Sequence, residues 1–128
     1  MLKTSKILIF IGIIFIGFSC TEKEYPSGRD TARSFGDGRF QILWGKSDIK
    51  VLHDCKTQRT IVREIQNWDK DGDIIYVIGS KDQLFTVLNF VTAEVQQYNT
   101  TDNIPDTFKD KYHELVWNSE RRLKDKTN

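Results

Sequence analysis

The sequence predicts a mainly β protein with one C-terminal helix, an α+β chain. Three observations carry this. Six short segments between 38 and 99 are rich in Ile, Val, Phe, Tyr and Thr, and several alternate apolar with polar residues. The links between them are a few turn-like residues, too short for parallel crossovers, which need a dozen or more. From 105 to 126, apolar residues recur at helical spacing instead. The expected architecture is an antiparallel meander of about six strands, a curled sheet or small open barrel, packed by one amphipathic helix.

The elements follow in order. In GRFQILWG (38–45), Phe40, Ile42 and Trp44 oppose Arg39 and Gln41, which places Trp44 in the sheet core. In DIKVLHD (48–54), Ile49, Val51 and His53 oppose Lys50. RTIVREI (59–65) sets Ile61, Arg63 and Ile65 against Thr60, Val62 and Glu64. DIIYVIGS (73–80) is apolar on both faces and belongs at the sheet centre, covered on each side. QLFTVLNF (83–90) and EVQQYN (94–99) complete the set. Asp69, Asp71 and Asp73 in WDKDGDI alternate as calcium ligands do. An EF-hand loop, however, needs Gly at its sixth position and Glu at its twelfth. Counted from Asp69, Gly72 is fourth and Ser80 twelfth, so Asp71-Gly72 reads as a tight hairpin turn.

In the last segment Phe108, Tyr112, Leu115, Val116, Ser119 and Leu123 form one stripe. Pro105 and Asp106 suit a helix start, and Arg121, Arg122, Lys124 and Lys126 suit its end. Lys109 and Lys111 are balanced by Asp106, Asp110 and Glu114, which favours a helix closing the sheet over one lying on a membrane. The rhythm YVIG-SKDQ-LFTVLNF-VTAE-VQQY resembles the hairpins of β-propeller blades. A whole propeller needs at least four blades of roughly 40 residues each, more than this chain supplies.

The N-terminus has a different character. Lys3 and Lys6 precede an uncharged run, Ile7–Phe18, and then Ser19 and Cys20. Twelve helical residues reach about 18 Å, short of the roughly 30 Å hydrocarbon core, so the run suits a cleaved export signal. With a small residue before a cysteine, residues 1–20 resemble the signal of bacterial lipoproteins; Gly17 stands where that family usually carries an aliphatic residue. The resemblance implies cleavage after 19 and diacylation of Cys20. Two acyl chains anchor stably where one does not. Residues 20–37 then read as a flexible polar tether, and 38–128 as a single globular domain.

Loss of Lys3 and Lys6 leaves 17 cations against 18 anions and moves the net charge from +1 to −1. The charges are interspersed, which argues against nucleic acid as a partner. With Cys20 lipidated, Cys55 is a lone thiol; without lipid, a Cys20–Cys55 disulfide stays open. His53 and Cys55 stand two apart, and His113 would have to join them from the helix to form a zinc site or an activated thiol. No paired metal-ligand spacing and no Gly-rich elbow is present, so neither a metal, a cofactor nor a catalytic residue is expected. Trp68, beside the turn, and Trp117, off the helical stripe, are the candidate interface residues.

The expected function is that of a non-enzymatic binding module, exported and lipid-anchored through Cys20. It would stand on the outer face of the cell membrane, or at the outer membrane where the organism has one, facing a protein partner at the envelope. Small lipoproteins of this size also resemble exclusion or immunity proteins of mobile elements, which block a secretion or conjugation protein. Further alternatives are a ligand-binding curled sheet and a thiol- or metal-dependent enzyme.

Overall fold

The computed structural model describes residues 25–127. The leader expected at 1–19 and the lipidated Cys20 lie outside those residues. The elements are β1 (Thr31–Phe35), β2 (Phe40–Trp44), β3 (Lys50–Asp54), β4 (Arg59–Val62), β5 (Ile65–Asp71), β6 (Ile74–Gly79), β7 (Phe85–Asn89), β8 (Glu94–Tyr98) and a long helix, α1 (Asp106–Thr127). Each strand pairs antiparallel with its sequence neighbour, in two four-stranded sheets ordered β1-β2-β3-β4 and β5-β6-β7-β8.

The mainly β, antiparallel, helix-closed fold is therefore as the sequence predicts, with two corrections. Eight strands form two sheets, where the pattern predicts about six in one curled sheet or open barrel. β1 also occupies part of the segment 20–37 that reads as tether. Both differences have a physical cause. β1 is an edge strand whose Ala32 and Arg33 face solvent, and only Phe35 is buried, so no apolar period marks it. The segment 59–65 is a corner. β4 ends at Val62, Arg63 and Glu64 turn the chain, and Ile65 starts β5 in the other sheet. Gly79 lies at this corner. A Cβ there would stand 2.5 Å from the Gln83 carbonyl oxygen and 3.0 Å from Val62 Cγ1, so only glycine fits.

The layers are sheet, sheet, helix. Phe35, Phe40, Ile42, Leu52 and Val62 from the first sheet meet Ile75, Val77 and Leu88 from the second in one core. β6 is apolar on both faces because its other side meets the helix. There Ile78, Phe85, Val87, Ile104, Tyr112 and Leu115 form a second core. Phe85 is its centre, with the rings of Tyr112 and Phe108 at 5.6 and 6.3 Å. Phe35 at the end of β1 meets Phe90, just past β7. Ile61 of β4 bonds to Gln83, just before β7. The first sheet thus packs on the second.

Two devices fix the ends. Arg39 makes a bidentate pair with the buried Asp54 carboxylate, at 2.9 and 3.0 Å. Tyr25 packs on the β1–β2 turn, where its N–H donates to the Asp37 carbonyl. Gly38, at φ +89°, permits this, since a Cβ there would come 2.0 Å from the Tyr25 carbonyl oxygen. A two-residue hairpin is present, but its loop is Gly72-Asp73, one residue later than the Asp71-Gly72 turn the pattern suggests, since Asp71 pairs with Ile74; Gly72 is at φ +60°.

Candidate functional site

Cys55 and His113, weighed as members of a thiol or metal site, are not brought together. Cys55 follows β3 in the first sheet, and burial pushes its thiol pKa up, away from the reactive thiolate. His113 is exposed on α1, on the far side of the second sheet, so it does not reach Cys55. Of the three alternating aspartates, Asp69 accepts a bond from Lys111 of α1, which holds its carboxyl below the usual range. Asp71 ends β5, Asp73 lies in the turn, and both are exposed.

The tryptophans are arranged differently from the pattern. Trp44, at the end of β2, is 46% exposed and not a core residue. It lines a groove, with the Lys50 ammonium 4.5 Å from its ring. Trp68 is half-buried. The Phe35 ring stands edge-on to it at 5.5 Å, and the Arg33 guanidinium lies 5.7 Å from its ring. Trp117 is 61% exposed on α1.

Trp44 and Trp68 border an open groove of about 660 Å³. One wall is the β2–β3 hairpin, with Trp44, Asp48 and Lys50; the floor is the start of β5, with Ile65 to Trp68; the other wall is the last part of α1, with Ser119, Arg122 and Leu123. Trp117 does not line it. The hairpin is sharply turned, with Ser47 and Asp48 both at positive φ (58° and 62°), and Asp tolerates that backbone better than most residues. Leu123 ends the apolar stripe of α1 and is 63% exposed, because the helix runs past the sheet it covers. In the floor, Asn67 is only 3% exposed. Its Nδ2 donates to the Leu115 carbonyl at 3.0 Å, which fixes the amide orientation, and its buried Oδ1 has no partner. A buried acceptor without a donor costs on the order of 1–3 kcal/mol, so it is an unusual feature to keep beside an open groove.

Of the groove's residues, the sequence singles out only Trp68 as an interface candidate. The readable signals for the others are a tryptophan at the last position of a strand, next to a Gly-Lys-Ser turn, and an apolar stripe that continues into a basic helix end. Asn67 carries no such signal, because its burial depends on the helix returning over β5. Comparison with family models, with curated proteins and with solved structures finds no match to this chain.

Proposed function

We propose that this chain is an envelope lipoprotein, held on the membrane by lipid at Cys20, which binds a protein partner through the groove between the β2–β3 hairpin and the end of α1. The observation that carries the binding role is the groove itself, where exposed Trp44 and Leu123 stand over a floor with an unsatisfied buried acceptor. Tryptophan and arginine, here Trp44 and Arg122, are the residue types enriched among interface hot spots. Anchoring rests on the lipoprotein-like residues 1–20. No helix among the described residues is long and apolar enough to cross a membrane, and a diacylated Cys20 would not require one.

Two variants test the two halves. Cys20→Ser should abolish palmitate incorporation and release the chain from the membrane fraction. Trp44→Ala should leave the chain lipidated and folded but remove the specific crosslinked species formed by formaldehyde in intact cells. Palmitate incorporation by Cys20→Ser would refute the anchor. An unchanged crosslink pattern in a Trp44→Ala, Leu123→Ala double variant would refute the groove.

A further inference from the structure

We infer that the groove takes an extended acidic peptide, with an apolar side chain seated beside Trp44 and Leu123 and a neighbouring carboxylate facing Lys50 and Arg122. This deepens the proposal above and rests on it. The first argument is charge. The stretches 46–50 and 119–124, which bound the groove, carry five cations against two anions, Asp48 and Glu120, while the rest of residues 20–128 is net acidic. Among the described side chains neither Lys50 nor Arg122 is in an ion pair. Lys50 lies instead against the Trp44 ring, so an arriving carboxylate meets a cation already placed over the apolar anchor.

The second argument is independent of charge. The groove is concave, with Ile65 to Trp68 as its floor. An extended segment also carries the alternation the groove needs, with one side chain toward the floor and the next toward the cationic walls. The volume of about 660 Å³ suits a ligand of a few residues. A flat anionic lipid surface would satisfy Lys50 and Arg122 but would leave the concave floor untouched, so the observations favour the peptide.

The test uses the mature lipidated chain in nanodiscs of neutral lipid and fluorescein-labelled nine-residue peptides, alternating Glu-Leu, Lys-Leu or Glu-Gly, read by anisotropy. The Glu-Leu peptide should bind saturably and at least tenfold more tightly than the other two. Lys50→Glu and Arg122→Glu should each weaken it about tenfold, and Trp44→Ala at least as much, whereas Val95→Ala on the remote edge strand β8 should not. Equal binding of the Lys-Leu peptide, or indifference to both charge reversals, overturns the inference. So does binding of the Cys20→Ser chain to phosphatidylglycerol vesicles without any binding of the Glu-Leu peptide. If the in-cell crosslink depends on Trp44 while the Glu-Leu peptide fails to bind, the peptide chemistry is wrong and the groove reading stands; if the crosslink is also independent of Trp44, the groove reading fails as well.

Discussion

At the residue scale, a few polar groups hold the ends of the fold. Asp54 is the clearest. The two hydrogen bonds from the Arg39 guanidinium, joined by one from the Lys56 N–H, hold its carboxyl down at about 2, against the burial that opposes ionisation. A carboxyl whose pKa is depressed in the folded state stabilises above its unfolded pKa of about 4, and that stability is lost as pH falls toward 2. Urea titrations of wild type and Asp54→Asn should therefore differ most near pH 7, with the gap narrowing by about 2 kcal/mol by pH 2. A constant gap would mean that the pair carries no net charge-dependent stability. Gly38 acts through its lack of a side chain. Gly38→Ala should displace Tyr25 from the β1–β2 turn, at a cost of about 1–2 kcal/mol. Limited proteolysis should then cut within 25–30 faster than in wild type.

At the element scale, the informative features are the sheet edges. β1 and β5 carry bulges, at Thr31/Arg33 and Ile65/Asn67, which twist an edge away from further pairing. The edge of β4 is blocked by a side chain. Gln83 Nε2 donates to the Ile61 carbonyl at 2.6 Å, and its Oε1 accepts from the Arg63 N–H at 2.9 Å, so one glutamine imitates a short paired strand. Gln97 donates to the same carbonyl at 2.7 Å. Gln83→Ala should cost about 1–2 kcal/mol and raise amide exchange at Arg63 without changing exchange in β6. Equal protection of Arg63 in the variant would show that the glutamine is dispensable. The helix is held by the aromatic cluster around Phe85, and Phe85→Ala should cost about 3–5 kcal/mol by calorimetry, the range for emptying a buried aromatic site.

At the scale of the whole molecule, legibility in the sequence followed local periodicity. β6 announced itself as doubly covered because ILE-rich burial on both faces leaves a continuous apolar run, and the helix stripe from Phe108 to Val116 faces the sheet as its spacing implies. What could not be read depends on contacts made far along the chain. β5 is polar in sequence, yet Asn67 and Asp69 face α1 because the helix returns with the Leu115 carbonyl and Lys111 to meet them. Trp44 alternates like a core residue, yet at the last position of β2 it is left 46% exposed. The groove is lined by the β2–β3 hairpin, the start of β5 and the end of α1, so no single segment encodes it. Crosslinking from a defined position tests its role most directly. A photoreactive residue at Leu123, compared with one at Val91 on the β7–β8 turn, should give a discrete partner adduct in native envelopes from Leu123 alone. Adducts from Val91 but not from Leu123, or from neither, would contradict a binding role for the groove.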